Sequence, residues 1–209
     1  MSSERELKFS TAGNGTPNEV ELGQALGRAG FELGPAARIR NKDRYFDDAR
    51  LSLSRAGIAL RRRMSEGRML ATLKTRGRIE GALHDREEIE LPMEGQEWPR
   101  PILDRIAMAT APGLLQPHTV VETERLRYAV LQDGRPVAQL AFDNVSARAQ
   151  QGERSVGFDE VEIEAHGNTS AETLERIAGA VGELMPLTAN TSSKLERVRQ
   201  LLMVGDWEG

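Results

Sequence analysis

Charged side chains recur at every second position in one strand-like segment after another, with apolar residues between them. In SSERELKFS (2–10), Glu4, Glu6 and Lys8 share one face, because successive strand side chains point to opposite sides, while Leu7 and Phe9 share the other. Arg61 and Arg63 repeat the pattern in GIALRRRM (57–64), Thr72 and Lys74 in RMLATLKT (68–75), and Arg86, Glu88 and Glu90 in HDREEIEL (84–91). Arg125 and Arg127 continue it in VVETERLRYAVL (120–131), and Glu160, Glu162 and Glu164 in FDEVEIEA (158–165). A half-buried antiparallel sheet with one wet face accounts for mixed charges on any single strand. It accounts less well for like charges side by side, which repel. A ligand would relieve that repulsion, with an anion on the guanidinium groups and a divalent cation on the carboxylates. Closing the strands into a barrel points all these faces into one lumen, and eight strands leave room for a small ligand. The apolar faces then turn outward, where helices are expected to cover them.

The remaining segments fit that plan. Pro17 to Gly30 reads as a helix, with Thr16 as its expected N-cap and Pro17 at the first helical position. Residues 37–47 read as a strand, 102–109 has helical spacing, and VAQLAFDNVSA (137–147) is a strand entered through the turn DGRP (133–136). Residues 170–185 form an amphipathic helix capped by Ser170, and 192–203 form another. The whole of 1–209 is read as one domain, α+β but mainly β.

With no cysteine, disulfides and thiolate metal sites are excluded, and no segment has the length or apolarity of a signal peptide or membrane span. A cytoplasmic protein without a membrane partner is expected. The net charge of −4 supplies no basic field for nucleic acid, so a polyanion site has to come from local clustering. His84 reads as a surface or supporting group rather than a ligand, since magnesium-type sites prefer oxygen. Arg38 and Arg40 either extend the basic wall or lie on a solvated edge, and Asp47 and Asp48 are expected to serve the turn before Leu51.

Taken in order, Glu4-Arg5-Glu6-Leu7-Lys8, RYFDDARLSLSRAGIALRRR (44–63), LATLKTRG (70–77), LHDREEIE (83–90), ETERLR (122–127), QLAFDN (139–144), DEVEIE (159–164) and SSKLER (192–197) resemble the CYTH superfamily. These are the triphosphate tunnel metalloenzymes, with the signature ExExK. The resemblance covers essentially the whole chain, is closest to the bacterial inorganic triphosphatase branch, and lacks the helical CHAD domain that often follows there. It implies a closed eight-stranded antiparallel β-barrel, the triphosphate tunnel, with flanking helices. It also implies Mg2+ or Mn2+ as cofactor. Glu4, Glu6, Glu162 and Glu164 match metal-binding positions, and Lys8, Arg61, Arg63, Lys74, Arg125, Arg127 and Lys194 match phosphate-binding ones. Tyr45 and Lys74 match a pair acting on the leaving group or the water, although Tyr45 and Phe46 could equally pack a strand. Arg86, Glu88, Glu90, Asp143 and Glu160 are further tunnel positions. Asp48 stands where the family often has Thr, and Val198 where Gly is common.

The residue types suit phosphoanhydride hydrolysis, which is accelerated by positioning and by neutralising charge on phosphoryl oxygens. The expected reaction is metal-dependent hydrolysis of inorganic triphosphate to diphosphate and phosphate. Alternatives are a class IV-type adenylyl cyclase, a thiamine triphosphatase, which an aromatic content of 4% hardly serves, and a non-catalytic polyphosphate or nucleotide binder. Such a binder would keep the basic residues but could lose the metal carboxylates. The 170–203 helices are the surface through which a homodimer could form, although nothing in the sequence marks an interface.

Overall fold

The computed structural model describes residues 2–11, 13 and 15–204. The strands are β1 (Ser2–Ser10), β2 (Glu32–Asp47), β3 (Ile58–Ser65), β4 (Arg68–Thr75), β5 (Arg78–Glu80), β6 (Leu83–Pro92), β7 (Gln116–Gln132), β8 (Arg135–Ala149), β9 (Ser155–Ala165) and β10 (Thr188–Ala189). The helices are α1 (Glu19–Arg28), α2 (Ser52–Arg55), α3 (Arg100–Ile106), α4 (Ala171–Gly182) and α5 (Lys194–Val204). Eight strands follow one another in the order β1-β9-β8-β7-β2-β3-β4-β6, and β6 pairs back onto β1. The barrel is closed and its ladders are antiparallel. β1 makes the closure by pairing its first half with β6 (Glu4 opposite Arg86) and its second half with β9 (Lys8 opposite Glu162). β5 and β10 are short additions to β6 and β1.

Tight turns hold the long hairpins in register. Asp133 and Gly134 between β7 and β8 have φ of 51° and 69°, and Glu66 and Gly67 between β3 and β4 have 49° and 76°. Two consecutive positive φ values make the primed turn whose twist matches paired strands. Asp47 and Asp48 organise the β2–α2 turn as expected. Asp47 accepts from the amides of Leu53 and Ser54, Asp48 accepts from those of Arg50 and Ser52, and Leu51 lies in the left-handed region at φ 53°.

The outer apolar faces are covered by helices. Leu22 and Leu26 of α1 and Leu174, Ile177 and Val181 of α4 bury against Leu7, Val130, Leu140 and Ile163. Ile102 and Ile106 of α3, with Leu53 of α2, bury against Phe46, Leu60 and Leu73. The expected N-cap of α1 is corrected: Asn18, not Thr16, caps it, its side chain accepting from the Val20 amide at 2.8 Å. Ser170 caps α4 as expected.

α5 departs from the expectation of an outer covering. Its Leu195 and Val198 pack with Tyr45, Val121, Val145 and Ala147, which lie on the lumen side in phase with Arg125 and Asp143, so α5 plugs one mouth of the barrel. A capping box starts this helix: Ser193 Oγ accepts from the Glu196 amide at 3.3 Å, and the Ser193 amide donates to Glu196 at 2.8 Å. Arg154 donates to the carbonyls of Leu201 and Leu202 at 3.2 and 2.8 Å, which fastens the helix near its C-terminal end. The apolar faces of α4 and α5 are thereby used inside the molecule. No helix among the described residues is long and apolar enough to cross a membrane.

Candidate active site in the barrel lumen

Strand alternation carries the charged faces into the lumen, around a cavity of about 310 Å3. Glu4, Lys8, Arg61, Arg63, Lys74, Arg86, Glu88, Glu90, Arg125, Arg127, Glu162, Glu164 and Lys194 line it, together with Tyr45. Glu6, Asp143 and Glu160 lie on the same strand faces and are almost fully buried. The charged residues matched to metal, phosphate and further tunnel positions therefore face one space. Arg38 and Arg40 do not: they are exposed, and Arg40 pairs with the exposed Glu124 on the outside.

In this network most cations are set against carboxylates. Lys8 lies 3.2 Å from Glu6 and 3.0 Å from Glu162, and Arg86 reaches Glu4 and Glu6 at 2.9 and 2.6 Å. Lys74 donates to Glu4 at 2.5 Å and lies 3.4 Å from Glu88. Arg125 forks onto Asp143 at 2.8 and 2.6 Å and also contacts Glu162. Lys194, the first residue of α5, reaches Asp143 at 2.7 Å and Glu160 at 2.8 Å. Arg127 donates to Gln139 at 3.3 Å, and Thr72 to Glu90 at 2.9 Å.

Protonation follows this pairing. Burial works against the charged form of Glu4, but Lys74, Arg86 and Lys8 outweigh it and hold the carboxyl below its ordinary range. Glu162 is depressed in the same way, burial being overcome by Lys194, Lys8 and Arg125. Glu160 goes the other way, raised first by burial. Glu164 is pushed up to about 7 by burial and by Glu4 and Glu6 beside it, and it has no ion pair among the described residues. Lys8 and Lys194 are buried yet raised, because their carboxylate neighbours exceed the cost of burial.

Asp43, which the sequence reading passed over, belongs to the same site. It is fully buried on β2 and accepts from Arg63 at 2.7 and 2.8 Å and from Arg61 at 3.2 Å. Those contacts hold its carboxyl down to about 2 against the effect of burial. The signal for it was the phase of Ile39, Asn41, Asp43 and Tyr45 along RIRNKDRYF, half hidden among outward-facing charges. Tyr45 takes the packing role, its ring lying in the α5 plug, and its hydroxyl adds to the interactions that keep Arg61 charged. His84 is not on the surface. It is 2% exposed, its Nε2 is 2.8 Å from the Asn190 carbonyl, and burial lowers its pKa, so it supports the wall beside Glu6 as a neutral ring.

Leaving aside Glu66 of the exposed β3–β4 turn, which also borders the cavity, nine carboxylates (Glu4, Glu6, Asp43, Glu88, Glu90, Asp143, Glu160, Glu162, Glu164) face eight cations (Lys8, Arg61, Arg63, Lys74, Arg86, Arg125, Arg127, Lys194) among the described residues. With carboxylates and cations nearly balanced in number, and burial favouring the neutral form of Glu160 and Glu164, the lumen has no large net charge that would by itself attract a polyanion. Divalent cations held on the carboxylates would make the lumen net positive. The tightest carboxylate group among the described residues is Asp143, Glu160 and Glu162, with donor atoms within 4.8 Å of one another. All three are buried hard oxygen donors, which suits an ion of the Mg2+ or Mn2+ type. Glu162 thus lies with Asp143 and Glu160, whereas Glu164 lies against Glu6 on the neighbouring strand.

A closed barrel whose lumen interleaves guanidinium, ammonium and carboxylate groups forms a densely charged tunnel. The chain belongs to the CYTH domain family, whose sequence model matches residues 2–197. Solved structures share the fold at low identity. HpAC1 from Hippeastrum, described as revealing a dominant triphosphatase activity, is 21% identical with a TM-score of 0.65 over 94% of this chain and 95% of that one. A Pyrococcus horikoshii OT3 protein is 20% identical with a TM-score of 0.57 over 95% and 99%, and the mimivirus capping-enzyme triphosphatase is 12% identical with 0.50 over 87% and 88%. A search of curated protein sequences gives no significant match.

Proposed function

We propose that this protein hydrolyses the terminal phosphoanhydride of a triphosphate with Mg2+ or Mn2+, and that inorganic triphosphate is its substrate. The observation that carries this reading is the lumen lining: among the described residues Tyr45 is the one aromatic around the cavity, and its ring is already packed against α5. No aromatic among the described lining residues offers a free stacking face for adenine or thiamine. The volume of about 310 Å3 lies at the small end of ligand sites and favours a compact anion over a nucleotide.

A divalent ion held by Asp143, Glu160 and Glu162, with Glu4 and Glu6 near, would neutralise phosphoryl oxygens and lower the pKa of a bound water. The chain's own residues do the rest. Arg61, Arg63, Arg125, Arg127 and Lys8 provide fixed donors for the phosphate chain, and Asp43 keeps Arg61 and Arg63 aimed. Lys74, held between Glu4 and Glu88, would give a proton or a positive charge to the leaving diphosphate oxygen as the bond to the terminal phosphorus breaks.

Parallel assays with inorganic triphosphate, ATP and thiamine triphosphate test the reading. Phosphate release favouring inorganic triphosphate supports it. Cyclic AMP from ATP would replace it with the cyclase, and inactivity on all three with a binding role.

A further inference from the structure

Lys194 is the one described cation that reaches all three clustered carboxylates, with Nζ 2.7 Å from Asp143, 2.8 Å from Glu160 and 3.7 Å from Glu162. We infer that Lys194 is an exchangeable internal cation: it stands on these carboxylates in the metal-free protein, must leave them for a divalent ion to enter, and then turns its freed ammonium towards the triphosphate. This inference rests on the proposed metal-dependent reading of the site and specifies how the site is loaded.

Glu160 provides the first support. It is 1% exposed, yet neither carboxylate oxygen makes a well-aligned hydrogen bond, and its nearest cations are Lys194 and, at 3.9 Å, Arg197. A buried carboxylate with charge contacts but no directed donors is satisfied in charge and not in geometry. A metal ion, which accepts lone pairs along many directions, completes what the ammonium leaves unfinished.

The second support is mobility of the right kind. Arg125 is clamped as a fork on Asp143, and Lys8 spans Glu6 and Glu162 from within β1, so neither can withdraw without breaking other contacts. Lys194 carries a compact ammonium on a flexible four-carbon stem, and at the first residue of α5 the helix dipole disfavours its charge. The Ser193–Glu196 capping box fixes the backbone, so the side chain alone need move, and Lys194 already borders the open cavity. Exchange makes metal and triphosphate mutually reinforcing, because each favours the state in which Lys194 has left the carboxylates.

Mn2+ alone, titrated calorimetrically into the full chain and its Lys194→Met variant, tests the exchange. Loss of the competing ammonium should tighten Mn2+ binding by about tenfold or more. Lysine acetylation of the wild-type protein, read by mass spectrometry, provides a test that does not depend on the variant folding: Lys194 should be protected without metal and labelled at saturating Mn2+. Equal or weaker Mn2+ binding by the folded variant overturns the exchange and leaves the metal reading standing, as does Lys194 labelling that Mn2+ does not change. Absence of Mn2+ binding in both proteins overturns both.

Discussion

Replacing Asp43 by Asn should destabilise the protein and make its stability depend on an added anion. Asp43 is fully buried and is the carboxylate that both Arg61 and Arg63 contact, with three hydrogen bonds of 2.7 to 3.2 Å. Its carboxyl lies at about 2 against an unperturbed 3.8, so the charged form contributes about 2 kcal/mol of stability. The sign is that of a depressed acid: the contribution is fully present above pH 3.8 and is lost as the pH falls to about 2. Substitution costs more than protonation linkage alone, because it strands two buried guanidinium groups; breaking a buried ion pair from one side typically costs about 3–5 kcal/mol. For a chain of this length the melting temperature should fall by on the order of 10 °C. Inorganic triphosphate, by offering oxygens to the same guanidinium groups, should recover much of that loss and raise the melting temperature of Asp43→Asn more than that of the wild type. Circular dichroism melts at pH 7.5, with and without triphosphate, measure both effects. A variant melting within about 2 °C of the wild type, or one with no enhanced response to triphosphate, would refute the role given to Asp43.

Arg125→Ala should raise KM for triphosphate by about 10- to 100-fold, the worth of one charge-assisted contact, as steady-state phosphate release will measure. Tyr45→Phe keeps the ring in the α5 plug but removes the hydroxyl beside Arg61, so kcat should fall by about 100-fold while the thermal melt barely moves. Leu195→Ala opens a cavity under α5 and should cost about 2–5 kcal/mol in urea unfolding. His118 is held down to about 4 by burial and by Arg199 against an ordinary 6.5, so the unfolded chain takes the proton first and stability should decline as the pH falls from 6.5 to 4. His118→Gln should flatten that slope in pH-dependent melts.

The inward faces were legible because period two is a property of the strand itself: Arg61 with Arg63, or Glu160 with Glu162 and Glu164, share a side whatever the strands around them do. Which strands meet is a long-range matter. The β1–β6 ladder that closes the barrel joins residues about eighty positions apart, and no local pattern in SSERELKFS specifies it. α5 was misplaced because its amphipathic spacing says only that one face is apolar; the partners of Leu195 and Val198 are small and branched residues inside the barrel, Val121, Val145 and Ala147, set in otherwise polar faces. Asp43 was missed where outward Arg38, Arg40, Lys42 and Arg44 mask the inward phase. His84 looked superficial beside a turn, yet β10 and Asn190 fold over that end of β6 and bury it.

The most direct measurement is phosphate release from inorganic triphosphate by the wild type and by Glu162→Gln, each with Mg2+, with Mn2+ and with excess chelator. Glu162 joins the carboxylate cluster to Lys8, Arg125 and Lys194, so its neutral variant should lose metal-dependent turnover while remaining folded. Turnover by the wild type that chelator abolishes and that Glu162→Gln lacks is the expected result. Turnover that survives chelator, or that the variant retains in full, would contradict a metal-dependent triphosphatase in this lumen.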